Sequence, residues 1–123
     1  MTAPEKLAGR RVLVVEDEIM VVMMVENILG DLGCETVAAS NKARAFALLE
    51  KETFDAAILD VNLDGAESYD VADVLVLKGT PFMFSTGYGV DGLKPAYRHL
   101  PVLPKPFWEQ ELLRLISGLV GDA

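Results

Sequence analysis

The sequence predicts an α/β fold, a doubly wound five-stranded parallel sheet with strand order 2-1-3-4-5. Three observations predict it. Short apolar runs alternate with stretches of helical periodicity along the chain, the pattern of successive βαβ units. The stretch Phe54 to Leu63 carries the unbroken run Ala56-Ala57-Ile58-Leu59, which suits a strand buried on both faces of a parallel sheet. Polar side chains also collect where such runs end, which is where ligands bind in these sheets.

Residues 1–10 read as a loose lead-in, and 11–121 as a single domain. Arg11 to Val15 (RVLVV) is the first strand, followed by the acidic cluster Glu16-Asp17-Glu18. Ile19 to Leu32 is a helix closed by Gly33, with Val22, Val25, Leu29 and Leu32 as its core stripe. Cys34 to Ala39 is the second strand. Ser40 or Asn41 caps a second helix to about Lys51, with Phe46 and Leu49 inward. The strand ending at Asp60 is third, terminated by the polar and glycine-bearing run Asn62, Asp64, Gly65. Ser68 is placed as the cap of a third helix that runs to about Lys78 and is ended by Gly79, with Val71, Val74 and Leu75 on one face. Pro81 to Thr86 is a fourth strand with its proline at the tolerated first position. Val102 and Leu103 make a short fifth. Phe107 to Val120 is the last helix, with Trp108, Leu112, Leu115, Ile116 and Leu119 as its inner stripe.

The crossover from Gly87 to Leu100 is the exception. It holds Gly87, Gly89, Gly92 and Pro95, and in a helix interior Gly costs roughly 1 and Pro roughly 3 kcal/mol relative to Ala. A short or disordered fourth helix is expected there, at most one or two turns around Lys94–His99 with a mobile loop before them.

Composition narrows the function. The chain has 123 residues, 51% hydrophobic and 24% charged, which is enough for one domain with a real core. The apolar run from Ile19 to Val25 is far too short to span a membrane, and Met1 to Gly9 lacks the pattern of a secretory signal. A single cysteine, Cys34, excludes an internal disulfide and suits a reducing compartment; beside Gly33 it reads as a small buried residue. A soluble cytoplasmic protein is expected. The formal charge is −8 and the basic residues are scattered, so no patch suits a nucleic-acid backbone.

In the predicted strand order, the first and third strands are neighbours at the switch point. Glu16, Asp17 and Asp60 then converge at one edge of a crevice, with Thr86 ending the fourth strand and Lys105 just past the fifth. Three carboxylates so close repel one another. A divalent cation removes that conflict, and all-oxygen ligands select Mg²⁺ or Mn²⁺. Lys105 adds a positive point charge and Thr86 a hydroxyl donor. Such a site suits a phosphoryl group attacked by a carboxylate, with an aspartyl phosphate as the product.

Four motifs carry a family resemblance: VLVVEDE ending at Glu18, ILDVNL around Asp60, FSTGY around Thr86 and LPKPF around Lys105. Together they resemble the signatures of receiver domains of two-component response regulators, from Arg11 to about Val120. The resemblance implies that Asp60 is the phosphoacceptor and that Glu16 and Asp17 hold Mg²⁺ with the Asn62 backbone carbonyl. It implies that Thr86 moves to the phosphoryl group, that Lys105 contacts a phosphoryl oxygen, and that the Lys105–Pro106 bond is cis. The donor implied is a phosphohistidine of a histidine kinase or phosphotransfer protein. Activity is then limited to phosphorylation and dephosphorylation of Asp60 itself.

Two departures stand out. Glu16 replaces the commoner aspartate, so its contact to the metal can run through water. Val102 occupies the place of the usual switching aromatic. The run from Pro81 to Gly89 instead resembles a subgroup marked by Phe-(Ala/Ser)-Thr-Gly-Tyr, often single-domain regulators associated with HWE and related histidine kinases. The sequence stops three residues after Val120, so output is expected through a protein partner, or as a phosphate sink or relay.

A Mg²⁺-dependent phosphohydrolase is the competing class. Several such enzymes place a second aspartate two residues after the nucleophile; here that place holds Asn62 and no general acid follows. A degenerate receiver serving only as a binding module would not need the intact set at 16, 17, 60, 86 and 105. Tyr88, two residues beyond Thr86, is placed as a gate over the pocket. Met20 and Met24 face away from the stripe of the first helix and are placed as a docking surface for a kinase or phosphotransfer helix pair. His99 reads as surface.

Overall fold

Side chains alternate across every strand of the sheet and so divide the apolar residues between two layers. The computed structural model describes residues 7–121. Its elements are β1 (Arg11–Val15), α1 (Ile19–Gly30), β2 (Glu35–Ala39), α2 (Lys42–Lys51), β3 (Ala56–Asp60), β4 (Asn62–Leu63) and β5 (Ala66–Glu67). They continue with α3 (Tyr69–Lys78), β6 (Phe82–Thr86), β7 (Val102–Pro104) and α4 (Glu109–Val120). The five-stranded sheet has the order β2-β1-β3-β6-β7, all pairs parallel. Counted along the sheet's own strands, that is the predicted order 2-1-3-4-5.

Leu13, Val15, Ala57, Leu59, Phe82 and Phe84 face one layer with the inner sides of α2 and α3. Val12, Val14, Ala56, Ile58, Met83 and Leu103 face the other, against Val25 and Leu29 of α1 and Leu112 and Ile116 of α4. Every residue of β3 and β6 is buried, as a doubly covered parallel sheet requires. Among the described residues, no helix is long and apolar enough to cross a membrane.

The helix ends follow their sequence signals closely. Gly33 (φ 82°) and Gly79 (φ 70°) take the left-handed conformation after α1 and α3. Cys34 N–H then reaches the Leu29 carbonyl and Thr80 N–H the Leu75 carbonyl, both at 3.0 Å, which closes each helix by the six-to-one pattern. Asn41, rather than Ser40, caps α2: its Oδ1 accepts from Arg44 N–H at 2.8 Å. Cys34 is buried, as expected.

Several expectations are corrected. Leu7 is fully buried against the α1/α4 layer, so the lead-in is anchored at this point by a core side chain; residues 1–6 lie outside the described chain. Pro81 precedes β6 rather than opening it, contributing only its carbonyl, which accepts from Ala57 N–H at 3.0 Å. Trp108 is 81% exposed. It stands before the first turn of α4 in extended backbone, where the helical repeat that would have turned it inward does not yet apply. Phe46, Val74, Leu32, Leu115 and Leu119 are only partly buried, at the margins of the two layers. The stretch after Asp60 is a separate two-stranded hairpin, β4 with β5, not an extension of β3.

The crossover from Gly87 to Leu100 holds no α-helix. It carries 3-10 turns at Gly89–Gly92 and Pro95–Tyr97, the first within the stretch expected as loop. Leu93 is buried between them. Tyr97 stacks on Tyr69 at 4.5 Å between centroids and donates its hydroxyl hydrogen to Asp73 at 2.8 Å, while Lys94 N–H donates to the Tyr69 hydroxyl at 2.9 Å. Glycine and proline removed the helix, and aromatic contacts with α3 dock the segment instead.

Candidate phosphoryl and metal site

The parallel register brings four strand ends to one level. Val15 pairs with Leu59, Asp60 with Ser85, and Thr86 with Pro104. The residues that follow or end these pairs are Glu16 and Asp17, Asp60, Thr86 and Lys105. Asp17, Asp60, Thr86 and Lys105 line a cleft of about 630 Å³ together with Glu18, Asn62, Asp64, Tyr88 and Gly92, and buried Glu16 adjoins it through its ion pair with Lys105. All of the predicted site residues except Met20 and Met24 therefore meet here. Those two methionines are exposed on the outer face of α1, with Ile19 and Met23 beside them.

Lys105 is the cation in the cleft lining. Its Nζ lies 2.6 Å from Glu16 Oε1, 3.2 Å from Asp60 Oδ2 and 4.0 Å from Glu18 Oε1. Its backbone N–H donates to the Thr86 carbonyl at 2.9 Å, and the peptide bond to Pro106 is cis. Glu16 is only 3% exposed; its second oxygen accepts from Glu18 N–H at 3.2 Å. Asp17 is exposed, and its Oδ2 accepts from Asp64 N–H at 2.9 Å. Asn62 N–H donates to Asp60 Oδ1 at 3.3 Å. Thr86 is buried, and its Oγ1 accepts from Tyr88 N–H at 3.2 Å. The Tyr88 ring stands at the cleft mouth, 84% exposed.

Burial pushes the Glu16 carboxyl up to about 7, the Lys105 hydrogen bond opposing and the Asp60 carboxylate reinforcing the shift. Burial works against the Lys105 ammonium, but its bond to Glu16 and the charge of Asp60 more than offset this and hold its pKa above the ordinary value. The Glu16 shift has a consequence for stability. Between 4.5, the ordinary value, and about 7 the folded chain retains a proton that the unfolded chain has lost. Folding is therefore favoured at the acid end of that window, and the contribution disappears as pH rises through about 7. In metal-free protein we expect up to roughly 3 kcal/mol of stability to be lost across the window. Urea denaturation from pH 5 to 7.5 checks this, and Glu16→Gln should flatten the profile.

The donor set fits a hard divalent cation. Glu16, Asp17 and Asp60 each offer a carboxylate oxygen, all within 4.8 Å of one another. Three oxygen donors of one sign, with one competing lysine, match Mg²⁺ or Mn²⁺ better than softer metals.

Three features of the site escaped the sequence. The Asp64 N–H that holds Asp17 comes from the tip of the β4–β5 hairpin, whose Asp64-Gly65 pair is a standard two-residue turn signal. Gly92 packs directly on Thr86: a Cβ there would lie 2.8 Å from Thr86 Oγ1 and 2.9 Å from Tyr88 Cβ. No local signal marks it. Ser68 does not cap α3 with its side chain, and its hydroxyl turns instead toward the backbone of Asp60.

The family profile described as response regulator receiver domain matches residues 12–117. No curated protein matches the chain. Among solved structures, the chain is similar to SdrG from Sphingomonas melonis Fr1, at 37% identity over 98% of this chain and 100% of that one, TM-score 0.81. A second SdrG structure, described as the BeF3-activated conformation and assigned to Pseudomonas melonis Fr1, matches at 39% identity over 93% and 98%, TM-score 0.79. The response regulator PhyR from Brucella abortus matches at 28% identity over 96% of this chain and 50% of that one, TM-score 0.80.

Proposed function

The chain belongs to the response regulator receiver domain family, and from that membership we propose that it accepts a phosphoryl group on Asp60 from a phosphohistidine. The observation that carries the proposal is the placement of Asp60: it lies within ligand distance of Glu16 and Asp17, and its Oδ2 is 3.2 Å from the Lys105 ammonium. A free carboxylate oxygen of Asp60 attacks phosphorus, the P–N bond to the histidine breaks as the P–O bond forms, and the imidazole leaves. Lys105 moves its charge from Asp60 to a phosphoryl oxygen, and the Thr86 hydroxyl donates to another. Glu16, Asp17, Asp60 and the Asn62 carbonyl are the groups proposed to hold Mg²⁺ or Mn²⁺. When bound, the cation neutralises phosphoryl oxygens during transfer.

The same site limits the acyl phosphate's lifetime, with Asn62 and Tyr88 governing how water reaches it; nothing in the set serves a separate substrate. The donor is a histidine kinase, of the HWE type by subgroup likeness, or a phosphotransfer protein, and the exposed methionines Met20 and Met24 are proposed as its docking face. Output runs through protein contacts around Gly87–Leu100, or the protein acts as a phosphate sink or relay. Thr86 couples the two ends: drawn toward a phosphoryl group, it leaves Gly92 and Tyr88 without the surface they pack on. That a similar protein, SdrG, has a described BeF3-activated conformation supports this direction, since BeF3 imitates a phosphoryl group.

Incubation with acetyl phosphate and Mg²⁺, followed by intact mass, tests the proposal. One added phosphoryl group that decays slowly and is absent in Asp60→Ala is expected. Rapid multiple-turnover release of phosphate from small esters would make the chain a hydrolase instead, and no labelling would leave it a binding module.

A further inference from the structure

We infer that Ser68 is a positioning residue for the phosphoacceptor, and that with the β4–β5 hairpin it forms a clasp holding Asp60, Asn62 and Asp17 in mutual register before any ligand binds. The inference rests on the role proposed for Asp60. A serine at the start of a helix ordinarily accepts a hydrogen bond from the first turn of that helix. Ser68 does not; it is fully buried, and its hydroxyl donates to the backbone carbonyl of Asp60 at 2.5 Å.

The reason lies in the sheet. Pairing between β1 and β3 ends at Val15 and Leu59, so the Asp60 carbonyl extends past the last rung on that side. A buried carbonyl needs a donor, and Ser68 supplies it. The Ser68 N–H also donates to the Val61 carbonyl at 2.9 Å. One residue thus secures two consecutive carbonyls at the point where the reactive side chain leaves the backbone.

Between those anchors the chain goes out and returns as the hairpin, with Asn62 opposite Glu67 and Leu63 opposite Ala66. Asp64 (φ 49°) and Gly65 (φ 85°) form its two-residue turn, and Leu63 is buried in the core. The turn presents Asp64 N–H to Asp17 Oδ2 at 2.9 Å. The clasp is therefore closed at its base on Asp60 and at its tip on Asp17, and Asn62 lies on the strand between. Groups that orient metal-binding side chains without touching the metal typically change affinity or activity about 10- to 100-fold when removed.

The test compares the full chain with Ser68→Ala and Ser68→Thr, using amide exchange of residues 61–65 in metal-free protein, Mn²⁺ affinity from the free-ion EPR signal, and acetyl phosphate labelling at saturating Mg²⁺. We expect Ser68→Ala to stay folded by circular dichroism, exchange faster across 61–65 and bind Mn²⁺ about tenfold more weakly. Labelling should slow by a similar factor, with Ser68→Thr nearer to the parent on all three. Parent-like exchange and Mn²⁺ affinity in Ser68→Ala would overturn the inference. Should Ser68→Ala fail to fold, Gly65→Ala opens the tip instead: its added Cβ meets no atom within 4 Å, so only the strained φ is at stake. Faster exchange at Asp64 and weaker Mn²⁺ binding then support the clasp, and no change refutes it. If the parent chain takes no phosphoryl group, the role of Asp60 fails, while the exchange and Mn²⁺ comparisons still decide whether the clasp exists.

Discussion

Lys105→Met is expected to slow labelling of Asp60 by acetyl phosphate about 100-fold or more at saturating Mg²⁺, the usual scale for removing one preorganised electrostatic partner. The same variant should bind Mg²⁺ at least as tightly as the parent. The two effects go in opposite directions because Lys105 plays two parts. In the free protein its ammonium occupies the carboxylate oxygens of Glu16 and Asp60 that a cation would use. In the proposed transfer its charge follows the phosphoryl oxygens, and among the residues lining the cleft it is the cation. Methionine keeps the length of the side chain and removes the charge, so packing changes little. Glu16 loses the hydrogen bond that opposes the effect of its burial, so its carboxyl rises further in the metal-free variant. Labelling rates by intact mass and Mg²⁺ titration by calorimetry separate the two parts. A fall in both together would mean that Lys105 only holds the site in shape.

Phe84→Ala should cost about 3–5 kcal/mol in urea denaturation, the range for truncating a fully buried aromatic, and loosen the Gly87–Leu100 crossover beyond that global loss. Phe84 is inaccessible to solvent and meets Tyr69, Phe82 and Tyr97 edge-on at 5.7, 5.5 and 5.9 Å. It stands two residues before Thr86 on the same strand, so both side chains project to the same layer. Leu93, Tyr97 and Leu100 are the crossover's apolar anchors in that layer. With the Phe84 ring gone, Tyr97 keeps Tyr69 and Asp73 but loses its inner wall. Amide exchange in residues 92–98 should then accelerate more than in β3. Uniform acceleration would show that the crossover opens only with the whole domain.

Much of this architecture was legible in order along the chain. The strand ending at Asp60 announced itself because burial on both faces leaves an apolar run ending at a carboxylate. Gly33, Gly79 and Asn41 marked helix ends through backbone chemistry that depends on those residues and a few neighbours. That the crossover from Gly87 to Leu100 would be poor in helix followed from glycine and proline, but the 3-10 turn at Gly89–Gly92, in the stretch expected as loop, did not. Trp108 fits the periodicity of the α4 stripe but stands just before the first turn, in extended backbone to which that periodicity does not apply. Ser68 has the sequence position of a helix cap, whereas the Asp60 carbonyl it serves needs a donor only after the sheet has formed.

The residue set at 16, 17, 60, 86 and 105 and the level at which each side chain emerges were therefore determined by the sequence itself, through local periodicity and its interruptions. Tertiary structure decided how those side chains are held: Lys105 against Glu16 as well as Asp60, Asp17 on the hairpin tip, Gly92 against Thr86, and Ser68 under Asp60. Apart from the packing of Gly92 on Thr86, these contacts join polar groups that the strand ladder itself does not pair. Which groups those are depends on sheet register and strand length, which no stretch of neighbouring residues records.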